Sequence, residues 1–267
     1  MLNPTQRFSS RVENYVKYRP AYPAAVLDLL AAECGLSPAS VIADVGSGTG
    51  ILSHLLLERG SRVIGVEPNR EMREAGERLL AVYPRFASVA AQAEATTLPE
   101  HSVDFVTAGQ AFHWFDAPRA RTEFERILKP GGWAVLVWNA RRTASTAFLR
   151  AYEALLLTFG TDYTTVDHAN VGEGDIRAFF GPGGYRHASF DNQQVFDFEG
   201  LKGRLLSSSY TPDPGDPRHA PMLAELRHIF DAHQVDGKVV FEYDTDVSYG
   251  HLPRHLTGHL LRTQGEL

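Results

Sequence analysis

A glycine-rich turn after a buried strand constrains this chain more than any other feature. Val41 to Val45 are mostly apolar and predict a strand, the glycines that follow cannot continue it, and Ile51 to Glu58 carry apolar residues at helical spacing. Gly46, Gly48 and Gly50 permit backbone angles that a Cβ would forbid. N–H groups at the start of the helix point towards a ligand on this loop. The pattern therefore predicts a site for a small, nucleotide-like molecule.

The residues around the loop narrow the choice of nucleotide. The dinucleotide fingerprint needs glycine or alanine at the position of Ile51, and a phosphate loop needs a lysine that is missing here. Ser61 to Glu67 read as a second strand that ends in a carboxylate. This carboxylate can accept hydrogen bonds from both hydroxyls of a ribose, and its charge would repel a ribose phosphate.

Five sequence blocks in a fixed order carry a resemblance to a known family. The blocks are Asp44-x-Gly46-x-Gly48-x-Gly50, Glu67-Pro68-Asn69 with Met72, Ala93 to Pro99 before Ser102 to Val106, Gln110 to Phe115, and Leu128 to Gly132. In these blocks, over roughly residues 36–140, the chain resembles the class I S-adenosylmethionine-dependent methyltransferases of the type 11 group. The resemblance implies S-adenosylmethionine as cofactor and a small-molecule methyl acceptor. Gln110 to Phe115 are also similar to the small-acid carboxyl methyltransferases of the trans-aconitate kind.

The fold that the resemblance implies is a single α/β methyltransferase domain over residues 1–267. It would be a Rossmann-like, doubly wound, seven-stranded and mostly parallel sheet, with an antiparallel last strand inserted between the fifth and the sixth, and a helical cap. Residues 36–140 would form the cofactor-binding core, while residues 1–35 and about 140–235 would contribute the cap and the acceptor site. Predicted helices begin at Pro23, at Asn69 and after Asp116, which we interpret as a cap rather than a catalytic acid.

The resemblance implies a set of cofactor contacts. The glycine loop and Glu67 would hold the nucleoside, Arg19 has the planar guanidinium that suits the methionine carboxylate, and Gln92 would meet the adenine edge, where the family often has aspartate. Arg19 could instead serve an acidic acceptor or be solvated, and Gln92 could belong to a solvent-facing loop. The predicted cofactor-binding residues are Tyr18, Arg19, Asp44, Gly46, Ser47, Gly48, Thr49, Gly50, Glu67, Pro68, Met72, Gln92, Ala93, Glu94, Gln110 and Ala111.

An aromatic run after the fourth predicted strand indicates the reactive end of the site. Aromatic faces can hold a sulfonium without a countercharge that would quench it, and Phe112 and Trp114 are the candidates, although core packing is an equal alternative for Trp114. His113 is the one side chain here that could act as a base near neutral pH, unless it is hydrogen-bonded inside the fold. The predicted acceptor-binding residues are Tyr15, Tyr22, His113, Trp114 and Tyr210.

Composition favours a soluble, cytoplasmic protein that is a monomer or a homodimer. The net charge of −6 shows no basic excess of the kind that nucleic acid binding needs, and no segment has the length to cross a bilayer or to serve as a signal peptide. The single cysteine, Cys34, fits a reducing compartment and helix packing. His251, His255 and His259 are spaced for one helix face, but Pro253 interrupts them, so we expect no metal site.

Two other functions remain open at this stage. A nicotinamide-dependent oxidoreductase could use a related sheet, although Ile51 argues against it, and a catalytically silent protein could keep the cofactor pocket for regulation or assembly.

Overall fold

A single twisted sheet organises the chain. The structure, a computed structural model, describes residues 12–163 and 172–253, and for residues 12, 13 and 15 it describes the backbone alone. Within these residues, seven strands form one sheet in the order β3-β2-β1-β4-β5-β7-β6. The strands are β1 (Val41–Val45), β2 (Arg62–Val66), β3 (Phe86–Val89), β4 (Val103–Gly109), β5 (Leu128–Arg141), β6 (Arg186–Phe196) and β7 (Val239–Gly250).

The strand directions confirm the predicted fold class. Strands β1 to β5 pair in parallel, and β7 lies between β5 and β6, antiparallel to both. The strand order reverses at β1, whose neighbours are β2 and β4, so the carboxyl ends of β1 and β4 flank a crevice at a topological switch point. The glycine-rich turn follows β1 and therefore lies at this crevice.

Helices cover both faces of the sheet. The helices of the described residues are α1 (Val12–Tyr18), α2 (Ala24–Cys34), α3 (Ile51–Glu58), α4 (Arg70–Leu80), α5 (Ala117–Ile127), α6 (Ala147–Phe159), α7 (Glu173–Phe180), α8 (Phe198–Leu206) and α9 (His219–His233). Successive residues of β1 alternate between two cores, because Ile42 packs with α2 and α3 while Ala43 packs with α5 and α7. None of these helices has both the length and the apolar character that crossing a membrane requires.

Polar side chains begin two of the helices as the sequence predicts. The Asn69 side chain accepts a hydrogen bond from Met72 N at 2.9 Å, and the Asp116 side chain accepts one from Arg119 N at 3.2 Å. Both side chains thereby satisfy N–H groups that have no partner inside the helix. Cys34 ends α2 as a free, partly buried thiol.

A third apolar cluster lies beside the sheet and forms the helical cap. It joins α6, α8 and α9 to the first half of β7 and to the end of β6. Its buried residues include Tyr152, Leu201, Leu226, Phe241 and Phe196. Helix α1 packs on α8, where the Tyr18 ring faces Gly203. The cap therefore rests on the part of β7 that extends beyond the parallel strands.

The structure extends two predicted strands. The apolar run Trp133 to Trp138 predicts a fifth strand that ends at Trp138. Strand β5 instead continues to Arg141, because β7 supplies an antiparallel ladder after the last parallel pair, Gly109 with Val137. The alternation of Tyr185 to Phe190 and of Gln194 to Phe198 predicts two separate strands. Residues 186–196 instead form one strand, β6, which pairs with β7 along its whole length. Helix α9 begins at His219, after a turn in which the Asp216 carboxylate accepts a hydrogen bond from Arg218 N at 2.9 Å.

The contact between Tyr18 and Gly203 gives a test of how the cap is assembled. A Cβ at Gly203 would lie 2.0 Å from the Tyr18 ring. We therefore expect Gly203→Ala to lower the free energy of unfolding by about 1–3 kcal/mol in urea titrations, because ring and helix must separate. Gly174→Ala in α7 is the control, since a Cβ there meets nothing within 4 Å. Equal destabilisation by both substitutions would contradict this packing.

Candidate functional site

The turn between β1 and α3 exposes main chain at the carboxyl end of the sheet. Gly46, Gly48 and Gly50 have φ values of 68°, 57° and 87°, which side chains with a Cβ rarely adopt. A Cβ would also lie 2.5 Å from Ala111 Cβ at Gly46 and 2.6 Å from Leu80 Cδ1 at Gly50. The backbone angles therefore favour glycine at all three positions, and Ala111 in addition leaves no space for a side chain at Gly46.

Glu67 lies against this turn. Its Oε2 accepts a hydrogen bond from Gly48 N at 2.9 Å and its Oε1 accepts one from Asn69 N at 2.8 Å. The residue is 8% exposed, and burial raises the pKa of the carboxyl although the two N–H donors act in the opposite direction. A carboxylate has about four acceptor positions, so two remain for further donors.

Asp44, the fourth residue of β1, is a second buried carboxyl beside the turn. Ser53 Oγ donates to its Oδ2 at 2.6 Å, and Thr107 Oγ1 donates to its Oδ1 at 3.0 Å. Burial raises the pKa of Asp44 to about 6, the two hydroxyl donors oppose this shift, and the nearby Glu67 adds to it. Asp44 thus changes charge close to neutral pH.

A cavity of about 580 Å³ runs from the turn into the cap. Asp44 and the loop residues Gly46 to Thr49 line one end, together with Tyr22 and Gln110. The Thr49 hydroxyl is buried and has no hydrogen-bond partner among the described residues. Arg19 also lines the cavity and donates from Nη2 to the Ser207 carbonyl at 3.0 Å, which ties the N-terminal segment to the end of α8.

Sequence reasoning did not single out the residues that line the cap end of this cavity. They are Arg141, Glu153, Tyr163, Arg204 and Tyr243, and the predicted Tyr210 lies among them. All five lie in segments where the family resemblance is weak. The sequence around Arg141 and Arg204 gives no signal that these side chains are buried, since Arg142 follows the first and Lys202 closely precedes the second.

The structure separates the predicted cofactor residues into two groups. Arg19, Asp44, Gln110 and the turn from Gly46 to Thr49 line the cavity, whereas a second group is absent from its described wall. That second group comprises Tyr18, Gly50, Glu67, Pro68, Met72, Gln92, Ala93, Glu94 and Ala111.

Members of the second group lie at different places around the turn. Met72 packs beneath Gly48, where a Cβ would be 3.4 Å from its Cε. Gln92 is exposed, Ala93 belongs to the core, and Glu94 Oε1 accepts a hydrogen bond from Asp116 N at 2.8 Å. The Gln92 to Glu94 segment thus follows β3, beside β2 and Glu67.

The predicted acceptor residues are also divided. Tyr22 and Tyr210 line the cavity, and the Tyr15 side chain lies outside the described part of the chain. His113 is half-buried, with its ring centroid 4.4 Å from that of Trp114 and 5.1 Å from that of Trp138. Trp138 and Phe112 line the cavity, so His113 stands one aromatic ring away from it. A direct proton-transfer role for His113 stays a prediction.

In residues 12–163 and 172–253, the structure contains no group of three or more His, Cys, Asp and Glu side chains placed to hold a metal ion. His251 hydrogen-bonds through Nδ1 to the Gly132 carbonyl at 3.0 Å and packs on Trp133. His255 and His259 lie outside the described residues.

Comparisons with known proteins agree with this geometry. A family model described as a methyltransferase domain matches residues 43–136. An uncharacterized methyltransferase of Mycobacterium tuberculosis is 40% identical over 134 residues, which are 50% of this chain and 52% of that protein. An uncharacterized methyltransferase of Geobacillus sp. WCH70 is 30% identical over 157 residues, which are 55% of this chain and 68% of the relative. The chain thus spans about half the length of the mycobacterial relative.

A solved structure extends the likeness to most of the chain. A candidate type II methyltransferase of Anaeromyxobacter dehalogenans is 24% identical and superposes with a TM-score of 0.66, covering 89% of this chain and 100% of that one. At this identity the likeness concerns the fold alone.

The raised pKa of Asp44 predicts a measurable dependence of stability on pH. Between the ordinary value of 3.8 and about 6, the unfolded chain releases this proton before the folded protein does, so the free energy of unfolding falls as pH rises. Relative to Asp44→Asn, we expect wild type to lose about 2–3 kcal/mol between pH 4 and pH 7 in urea titrations. Carboxyls that do not interact with Asp44 are common to both proteins and cancel, and carrying Glu67→Gln in both proteins removes the interaction between Glu67 and Asp44. A difference that does not vary with pH would contradict the assignment.

Proposed function

Because the chain belongs to the class I S-adenosylmethionine-dependent methyltransferases of the type 11 group, we propose that it transfers the methyl group of S-adenosylmethionine to a small-molecule acceptor. The observation that carries this proposal is the continuous cavity from the glycine turn to the cap. A bound cofactor at the turn and an acceptor in the cap could meet inside it. The methylated atom would be oxygen, nitrogen or carbon.

The residues at the turn fit the proposed cofactor. Gly46 to Thr49 line the cavity, and the N–H groups of the first three of these residues donate to the end of β2 and to Glu67, which fixes the turn. The buried Thr49 hydroxyl offers a hydrogen bond that no described protein group takes. Glu67 keeps two acceptor positions that suit ribose hydroxyls. Asp44 would carry a negative charge toward the cationic methionine end, and Arg19 would pair with its carboxylate.

The protein would contribute to the reaction mainly by aligning the acceptor with the methyl group and by excluding water. S-adenosylmethionine supplies an already activated methyl group, so the protein has to hold the acceptor in line with it. Holding two reactants in this way can supply on the order of 7–11 kcal/mol in favourable cases. Phe112, Leu136 and Trp138 contribute apolar side chains to the cavity wall, which would help to exclude water. A carboxylate acceptor would need no base, whereas an amine or a hydroxyl would give one a role.

Incubation with S-adenosylmethionine labelled in its methyl group tests this proposal directly. A panel of small organic acids, amines and phenols would serve as acceptors, and label would be sought in each product. Labelled product supports the proposal and identifies the acceptor class. Tight cofactor binding without transfer to any acceptor would favour a catalytically silent binding protein, and reduction of a nicotinamide cofactor would favour an oxidoreductase.

Glu67 provides a test of the cofactor site that does not need an acceptor. We expect Glu67→Ala to weaken S-adenosylmethionine binding by about 1–3 kcal/mol, the usual range for leaving buried polar groups unpaired. Isothermal titration calorimetry measures the dissociation constant. Glu74→Ala is the matched control, because Glu74 is an exposed carboxylate in α4 that pairs with Arg70. An unaltered dissociation constant in Glu67→Ala would count against the proposed ribose contact.

His113 can be tested once an acceptor is known. With an amine or hydroxyl acceptor, we expect His113→Ala to lower turnover by about 10²-fold or more, because a positioned base typically contributes 10²–10⁴-fold. His228→Ala, an exposed histidine in α9, should leave turnover unchanged. Unchanged turnover of His113→Ala with such an acceptor would remove this histidine from the mechanism.

A further inference from the structure

Two guanidinium groups are buried at the cap end of the cavity. Arg141 is the last residue of β5 and its side chain is 8% exposed, while Arg204 lies in α8 and is 6% exposed. Both line the cavity. Burying a guanidinium is costly unless hydrogen bonds and opposite charge compensate it. The partners of these two groups therefore show how much compensation the protein itself provides.

The hydrogen bonds and the opposite charge around Arg141 offset only part of the cost of burying its guanidinium. Its Nη2 donates to Glu153 Oε2 and to Tyr163 Oη, the latter at 3.1 Å. Its Nη1 is buried and has no hydrogen-bond partner among the described residues. Glu153 is also engaged by the Tyr163 hydroxyl, which donates to both of its oxygens at 2.9 and 3.0 Å. One carboxylate is thus shared between an arginine and a tyrosine.

Arg204 pairs with neutral groups. Its Nε donates to Tyr243 Oη at 3.3 Å and its Nη1 donates to Ser208 Oγ at 3.2 Å. Its guanidinium carbon lies 6.0 Å from the centre of the Phe241 ring. In the described part of the chain, no carboxylate comes within ion-pair distance of this guanidinium. Arg204 therefore contributes a full positive charge that only dipoles and one aromatic face compensate.

Neutral hydroxyl groups surround the two arginines. Burial raises the pKa of the Tyr152 and Tyr163 phenols, so both stay protonated at neutral pH. The Tyr152 hydroxyl is buried without a described hydrogen-bond partner, and both arginines act electrostatically on it. Tyr210 lines the same end of the cavity. These phenols supply donors and remove no positive charge.

The balance of charge at this end of the cavity identifies what it would bind. Two guanidinium groups face one carboxylate, Glu153, and the remaining described carboxylates of the cavity wall lie elsewhere. Asp44 is beside the glycine turn, and Asp246 pairs with His187 at 3.4 Å. The cap end therefore carries an excess positive charge and spare hydrogen-bond donors, and both match an anion with planar acceptor oxygens.

We propose that Arg141 and Arg204 bind a carboxylate of the methyl acceptor, so that the acceptor is a small organic acid. This inference rests on the proposed function and narrows its acceptor class. The methionine carboxylate of the cofactor is a competing anion for these arginines, and an acceptor with a phosphate group would offer similar oxygens. The test has to separate both from an acidic acceptor.

Binding of acids to the cofactor-saturated protein tests the inference without requiring turnover. The protein saturated with S-adenosylhomocysteine would be titrated calorimetrically with acetate, succinate, tricarballylate and benzoate, and with the amide of each acid and phenyl phosphate for comparison. We expect at least one acid to bind about tenfold or more tightly than its amide and than phenyl phosphate. Arg141→Lys and Arg204→Lys keep the charge but lose the planar fork, and each should weaken this binding about tenfold.

The affinity for S-adenosylmethionine separates the outcomes. Arg121→Gln is the matched control, because Arg121 is a buried, ion-paired arginine in α5 that does not line the cavity, and its substitution should change neither affinity. Weaker S-adenosylmethionine binding in the Arg141 and Arg204 variants would overturn the inference, since these arginines would then hold the cofactor carboxylate. Equal binding of acids and amides, or tighter binding of phenyl phosphate, would also overturn the inference while leaving the proposed function intact.

A wild-type protein that does not bind S-adenosylmethionine would refute the proposed function, and the inference with it. Thermal unfolding of each variant identifies a loss of binding that comes from misfolding. A misfolded arginine variant would be replaced by Tyr210→Phe, which should also weaken binding of the acid.

Discussion

The main chain of the turn after β1 must stay free of covering side chains if a ligand is to lie against it. Hydrogen bonds to the end of β2 hold the turn in this conformation. Gly46 N and Ser47 N both donate to the Val66 carbonyl, at 2.8 and 3.2 Å, and Gly48 N donates to the Glu67 carboxylate that follows β2. The turn is therefore fixed by its neighbouring strand rather than by side chains of its own. The glycine turn and its contact with Glu67 depend on the β1–β2 pairing that brings these groups together.

The sequence predicted the parts of the site that depend on local chemistry. Glycine at residues 46, 48 and 50 indicates backbone angles that other residues rarely adopt. An acidic residue at the end of the second strand must lie beside this turn once the two strands pair in parallel. The seven-stranded fold follows from similar local periodicity. Family resemblance placed the last strand between the fifth and the sixth, and the observed strand order confirms it.

The acceptor end could not be predicted in the same way, because it depends on contacts between distant segments. Arg141 and Arg204 are ordinary arginines in the sequence, and only the packing of α6, α8 and β7 around them makes them buried. The position of His113 has the same origin. Its ring lies beside Trp138 from another strand, a contact that the run of residues 110–115 does not contain.

Asn139 shows how the two ends of the cavity are joined. Its Nδ2 donates to the Ala21 carbonyl at 3.3 Å, while its Oδ1 accepts from Thr245 Oγ1 at 2.5 Å and from Asn192 Nδ2 at 3.1 Å. One buried amide on β5 thus contacts the N-terminal segment, β6 and β7. The wall of the cavity is continuous here because three separate parts of the chain meet on a single side chain.

The insertion of β7 between β5 and β6 has a consequence for the order in which the protein can fold. A chain emerging from the ribosome has made the glycine turn, Arg141 and Arg204 before residues 239–250 exist. Until they arrive, β5 has one unpaired edge and Phe241 and Tyr243 are missing from the cap cluster. The cofactor half can therefore assemble during synthesis, while the acceptor half has to wait for nearly the whole chain.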